Sequence, residues 1–347
     1  MVTIGIDAHK SSLAVCLVDE LGRELAQEEF GNDAAAHRAL CAWVERLAPG
    51  ERRFGVEGSG WVGRSLACFL LERGEQVVDV RGSLTDWQRR RLRGQGKSDP
   101  RDALAIARVT AREELPAVRA DSPSRDLKLL SDYRCQLVAE RIRVANRLHV
   151  DLVSLRPGYE RQLRTLSSSA RLEQAEQLLA GEPSVQALLA RRRIEQLRRL
   201  DAEIKQLGRE LRDLVRESGS GLPALAGVGE VIAARIIGEV GDVRRIASKS
   251  RFARLNGTAP IPASSGQTRR HRLNRGGNRR LNHAIHMIAL TQARMDPRAC
   301  AYVERRRAEG KSRRDAIRAL KRHLSDVVYQ QLRHDAGLRP DADARRA

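Results

Sequence analysis

Residues 2–19, VTIGIDAHKSSLAVCLVD, decide how the N-terminal part of this chain folds. VTIGIDAHK is an apolar run broken by one acid, Asp7, and SLAVCLVD is a second apolar run directly after it. Their β-branched content and length predict two buried strands. The turn at ELGRE leads to a third strand around LAQEEF, which completes a meander. Asn32 or Asp33 can then cap a helix through AAAHRALCAWVERLA, with Leu40, Val44 and Leu47 on one face and Pro49-Gly50 as its stop. RFGVEGSG follows as a short strand ending in glycines, WVGRSLACFLLERG as an amphipathic helix, and QVVDV as another strand. The order βββαβαβ predicts a mixed α/β sheet domain over residues 1–115.

Beyond it the text becomes long helices of Leu, Arg and Glu, at about 126–153 and 185–217. Leu197, Leu200, Ile204, Leu207, Leu211 and Leu214 alternate steps of three and four, the seam of a coiled coil. Arg156-Pro-Gly158 and Gly181-Glu-Pro183 interrupt the pattern, so residues 120–217 are expected to form a helical connector. The same seam suits a hairpin that packs on itself or a coil between chains. Residues 220–332 form a mainly helical basic domain, and 333–347 a polar tail expected to be disordered, so a cut after Gln331 should be tolerated.

The composition narrows the partners. A formal net charge of +20, with 64 Lys and Arg against 44 Asp and Glu, points to a polyanion, and the excess of Arg suits phosphate. Aromatic residues are only 3%, which argues against a stacking platform for bases. Five scattered cysteines without ligand spacing suit core thiols of a reducing compartment. No apolar run approaches membrane-spanning length, and the N-terminus lacks the apolar core of a signal peptide. A cytoplasmic protein without a membrane partner is expected.

Four acids carry the chemistry. Asp7 and Glu57 end apolar strands, where an unmatched carboxylate would be costly. Asp99 and Asp102, in GKSDPRDALAIA, are three apart at the start of a helix, with Pro100 suited to its first turn. An N-cap accounts for Asp99 alone, and a solvated helix position for Asp102 alone. Taken with two strand-end acids on a βββαβα order, the pair matches how ribonuclease H-like folds hold two divalent metals for phosphoryl chemistry. Carboxylate oxygens favour Mg²⁺, with Mn²⁺ as a substitute.

Two further stretches suit nucleic acid. LPALAGVGEVIAARIIGEVGD places Gly227 and Gly229 between a short and a longer helix, as in a helix-hairpin-helix, where bare backbone and a helix start approach a phosphate. An ordinary interhelical turn would look similar. PIPASSGQ then runs into RRHRLNRGGNRR, where Arg269, Arg270, Arg272, Arg275, Arg279 and Arg280 make a dense positive field beside Ser264 and Ser265. By itself SSG suits a solvated linker.

GIDAHK around Asp7, GVEGSG around Glu57, KSDPRDA around Asp99 and Asp102, the LAGVGEVIAARIIGEVGD hairpin, and GTAPIPASSGQ before GGNRRLN occur in that order. Together they resemble, over nearly the whole chain, the DEDD-type transposases of the one-ten insertion-sequence family, relatives of the Piv DNA invertase. The resemblance implies a multidomain α/β plus α chain: an RNase H/RuvC-like domain, a coiled-coil connector and a helical transposase domain with a nucleophilic serine. Ser265, next to the glycine, matches that serine best, with Ser264 the alternative. Also implied are donor and target DNA as partners, a noncoding bridge RNA, and a homo-oligomer, dimer or tetramer. The expected activity is a transposase or site-specific recombinase in which the four acids hold Mg²⁺ and Ser265 forms a phosphoserine link. The alternatives are a RuvC-like, Mg²⁺-dependent junction-resolving nuclease that uses water, and a binding protein whose acids are structural.

Overall fold

The computed structural model describes residues 1–82, 84–85, 99–119, 123–262, 271–272, 274 and 276–338. It divides into two compact units, Met1–Asp121 and Ser122–Ala347.

The first unit is built on five strands: β1 (Val2–Ala8), β2 (Ser12–Val18), β3 (Glu24–Gly31), β4 (Arg52–Glu57) and β5 (Gln76–Val80). Their order is β3-β2-β1-β4-β5. β1 runs antiparallel to β2 and parallel to β4, β2 is antiparallel to β3, and β4 is parallel to β5. This is the mixed, ribonuclease H-like sheet that the element order predicts.

Side-chain alternation sorts the two faces. Ile4, Ile6, Leu13, Val15 and Leu17 pack with Leu40 and Val44 of α1 (Ala34–Leu47) and with Leu66 and Leu70 of α2 (Arg64–Glu72). On the opposite face Ala14, Cys16 and Val18 meet Ala103 and Ala107 of α3 (Asp99–Arg112). Covered on both faces, β1 and β2 carry the near-continuous apolar text of a buried strand. Of the two candidate caps, Asp33 holds α1, accepting from the Ala35 and Ala36 amides. These amides keep the Asp33 carboxyl below the usual carboxylate range. Asn32 instead bridges loops, donating from Nδ2 to the His9 and Val62 carbonyls while its Oδ1 lies 2.9 Å from His37 Nε2.

The second unit is helical: α4 (Pro123–Leu155), α5 (Ser169–Leu178), α6 (Val185–Glu217), α7 (Glu230–Val240), α8 (Lys249–Leu255), α9 (Arg279–Met295), α10 (Pro297–Ala308) and α11 (Arg313–Asp335). A two-residue ladder, β6 (Ile261–Pro262) with β7 (His271–Arg272), joins α8 to α9. α4 and α6 form an antiparallel hairpin, since Arg141 on α4 pairs with Asp201 and the later Asp151 pairs with the earlier Arg193. Of the two arrangements the seam allows, the chain makes the one that packs on itself.

The seam does not run through as one coil. Leu197, Leu200 and Leu207 pack with Leu148 and Leu152 of α4. Leu211 and Val215 instead enter a cluster with Leu222, Ile236 of α7, Ile285 of α9 and Tyr329 of α11. Leu127, at the start of α4, joins that second cluster as well. The connector expected at 120–217 and the domain expected at 220–332 therefore share a core, and they form one unit where the sequence suggested two. The expected tail also begins later than 333: α11 continues to Asp335, with Leu332 buried. Asp335 accepts from Ser220 Oγ and the Gly221 amide. A cut after Gln331 would remove both anchors, which argues against the expectation that it is tolerated.

Among the described residues no helix is long and apolar enough to cross a membrane. The five cysteines are free, with Cys16 and Cys41 buried. Burial pushes the Cys16 thiol up to about 12, so it is inert packing.

Candidate functional site

Asp7 and Glu57 lie side by side, paired in the parallel register near the ends of β1 and β4. Two residues earlier, and so on the same face, Gly5 pairs with Gly55. A Cβ on Gly5 would lie 2.2 Å from the Ala107 backbone nitrogen, and one on Gly55 would lie 1.8 Å from Thr110 Oγ1. Only bare backbone lets α3 settle this closely on the two central strands. The seating brings the first turn of α3, with Asp99 and Asp102, to the strand ends. Asp102 is 3% exposed and Asp7 is 8% exposed.

His9, two residues past Asp7, completes the cluster. Its Nε2 lies 3.4 Å from Asp7 Oδ2 and 3.5 Å from Asp99 Oδ1. One donor atom from each of Asp7, His9 and Asp99 lies within 4.8 Å of the others. Glu57 has its own support: Thr85 Oγ1 donates to Glu57 Oε2 at 3.4 Å and to the Gly82 carbonyl at 2.9 Å. A Cβ on Gly82 would come within 2.7 Å of Glu57 Oε1, so glycine there leaves the carboxylate its room. His9, Gly82 and Thr85 escape the sequence-based list of acids. His9 alone has a local signal, its place two residues beyond a strand-end acid.

The donor set fits a divalent cation. Carboxylates gathered at one end of a sheet, with Asp7 and Asp102 buried and Asp99 exposed, favour a cation between them, and hard oxygens suit Mg²⁺ or Mn²⁺. Asp7 and Asp99, with His9 between them, bring donor atoms close enough to share one ion. An imidazole nitrogen beside two of these acids adds a ligand or an outer partner that orients them.

The second unit supplies the other expected features in part. A single turn of 3-10 helix, Leu222–Ala224, stands where the hairpin's first helix was expected, because Pro223 and the glycines around it leave too few residues for more. Gly227 has φ +75°, the left-handed region that favours glycine, and packs on Thr291 of α9. Gly229 caps α7 and has open space around its Cα. Arg279 begins α9 and is exposed. Arg280 Nη1 contacts Asp132 Oδ1 at 2.5 Å and Glu239 Oε1 at 3.6 Å, tying α9 to α4 and α7. Arg272 is placed by its backbone, opposite Ile261 in the short ladder. Ser264, Ser265, Arg269, Arg270 and Arg275 lie outside the described residues.

Two family models match the chain in succession. One, described as Transposase and of the DEDD type, covers residues 4–157, and the other, described as Transposase IS116/IS110/IS902 family, covers 221–304. The 44.8 kDa protein of insertion element IS116 from Streptomyces clavuligerus is 27% identical, over 96% of this chain and 94% of that one. The 42 kDa protein of insertion element IS900 from Mycobacterium paratuberculosis is 25% identical, over 98% and 97%. The solved structure of Thermus thermophilus RuvC matches at 17% identity and a TM-score of 0.28, over 34% of this chain and 100% of that one. The ribonuclease H-like fold rests instead on the strand order and register described above. Acids gathered on such a sheet, in a chain matched by transposase models, define a DNA-cutting enzyme. The chain belongs to the IS110/IS116 family of transposases.

Proposed function

We propose that this transposase is a site-specific DNA recombinase in which the acid cluster handles the scissile phosphate and Ser265 is the nucleophile. The observation that carries the acid half is the Asp7–Glu57 register pair with α3 seated on Gly5 and Gly55. Mg²⁺ bound by the four carboxylates would supply Lewis-acid stabilisation of the phosphate oxygens. Asp7 and Glu57 would hold it from the strand ends, and Asp99 and Asp102 from the first turn of α3. His9, between Asp7 and Asp99, holds the pair in place.

Attack by Ser265 Oγ forms the serine–phosphorus bond and releases a 3′-hydroxyl, with the serine proton passing to solvent or a nearby base. The covalent link conserves the energy of the broken phosphodiester until the partner strand's hydroxyl displaces the serine. Ser264 is the alternative nucleophile. Family resemblance supports the serine, the kinship with the Piv invertase, and a bridge RNA that pairs with donor and target DNA. The same resemblance supports a homo-oligomer, the scattered free cysteines suit the cytoplasm, and the distance in sequence between the acids and Ser265 suits a site shared between protomers. The net charge of +20 suits such nucleic-acid partners.

The second candidate is a Mg²⁺-dependent, junction-resolving nuclease that uses water. It is favoured by the fact that the described acids assemble within Met1–Asp121 alone. Incubating the protein and its co-purified RNA with labelled DNA ends in Mg²⁺ separates the two. A protein–DNA adduct lost in Ser265→Ala and Asp7→Ala but kept in Ser264→Ala supports the recombinase. Cleavage without any adduct assigns the chain to the nuclease class.

A further inference from the structure

Lys321 of α11 lines two adjoining clefts of the second unit, of about 1070 Å³ and about 570 Å³. Its Nζ donates to Asn282 Oδ1 at 2.7 Å. Asn282 is oriented for this because its Nδ2 donates to the Asn256 carbonyl at 2.7 Å. Asn256, fully buried, in turn donates from Nδ2 to Ser325 Oγ at 2.7 Å. Ser325, Asn256 and Asn282 thus form a neutral relay that aims an ammonium without neutralising it. Among the described residues no carboxylate lies within ion-pair distance of Lys321. A half-buried cation held by amides is costly unless an anion meets it from outside.

The walls supply no such anion. From α9, Arg279, His283 and His286 line the larger cleft, and from α11 so does Arg318. His286 Nδ1 is buried without a hydrogen-bond partner. Asp315, the acid of the smaller cleft, is engaged by Arg318 Nη1 at 2.8 Å. Arg306 and Tyr302 of α10 complete that wall. Burial and the Arg318 charge push the Lys321 ammonium down to about 8. Burial lowers His283, helped by the Arg235 and Lys321 charges, and burial with Lys321 nearby lowers His286 as well.

We propose that this cleft is a phosphate site for a DNA strand, in which Lys321, oriented by Asn282, takes a backbone phosphodiester with Arg318 and Arg279 beside it. The proposal rests on the chain being a DNA transposase but not on its nucleophile. It assigns a binding residue on α11, well beyond the arginine block that the sequence highlights.

The test is the affinity of the full chain for a labelled single-stranded DNA oligonucleotide, with chelator present so that the acid cluster plays no part. Lys321→Gln should weaken binding roughly tenfold and lower the salt slope by about 0.7, the loss of one phosphate contact on a single strand. Asn282→Asp, which leaves the lysine in place and neutralises it, should weaken binding similarly. Wild-type affinity should fall as pH rises through about 8, where free Lys321 loses its proton. In Lys321→Arg that fall should vanish, because guanidinium stays charged. Unchanged affinity and salt slope in both Lys321→Gln and Asn282→Asp, with melting temperatures preserved, would overturn the site. A loss confined to RNA of the same sequence would overturn its assignment to DNA. Failure of the serine mechanism would show in the adduct assay and leave these binding results intact.

Discussion

Gly5 and Gly55 face each other across β1 and β4, and α3 lies over both. Their missing side chains set how close the acidic first turn of α3 comes to two acidic strand ends. The seat of α3 and the geometry of the site are therefore one problem, solved by two glycines in adjacent register.

Gly5→Ala should disturb both together. The added Cβ meets the α3 backbone at Ala107, which cannot swing aside as a side chain would. A loss of about 2 kcal/mol or more is expected from overpacking. Urea unfolding would measure it, and DNA cleavage should fall further than the stability loss explains because Asp99 and Asp102 move with the helix.

Asp7→Asn separates chemistry from folding. Neutralising one of several crowded carboxylates relieves repulsion, so the melting temperature should hold or rise. Strand cleavage should drop at least about a hundredfold, the scale of losing one preorganised electrostatic contact. A clear fall in melting temperature would mean that Asp7 is chiefly a structural partner.

Chain length makes a sharp comparison at the end of α11. A stop after Leu338 should leave stability unchanged. A stop after Gln331 removes buried Leu332 together with Asp335, which holds Ser220 and Gly221. That loss should cost about 2–4 kcal/mol, seen as a lower midpoint in urea.

His37 predicts an acid limb of stability. Burial holds it below the ordinary histidine value, so the folded chain takes up this proton less readily than the unfolded one. Its contribution is intact above about pH 6.5 and is lost as pH falls through the lowered folded value. His37→Gln, which keeps an amide near Asn32, should flatten the decline in melting temperature between pH 7 and 5.

Much of the first unit was legible because its signals are local. Alternating apolar runs, an Asp cap and a Pro-Gly stop each specify an element without help from distant residues, and strand-end acids announce themselves by their cost. Thr85 was not legible as a site residue, and His9 only through its place two residues past Asp7, since the contacts to Glu57 and Asp99 appear only once the chain folds. The leucine seam of α6 was visible, but its change of partner after Leu207 was not. A heptad marks which face is apolar and carries no mark of what will cover each turn. The reach of α11 was missed for a related reason: RHD is polar text, and its order comes from the distant Ser220-Gly221 turn.

That change of partner has a consequence for how the second unit comes apart. α6 is a single unbroken helix of 33 residues with one end in the hairpin and the other in the core of α7, α9 and α11. Fraying of the hairpin exposes Leu197 and Leu200, and it removes the scaffold on which Leu211 and Val215 are fixed. The two halves cannot melt in separate steps without breaking a continuous helix. Slow amide exchange in α6 should accordingly follow one free energy of opening along its length, the mark of a single cooperative block.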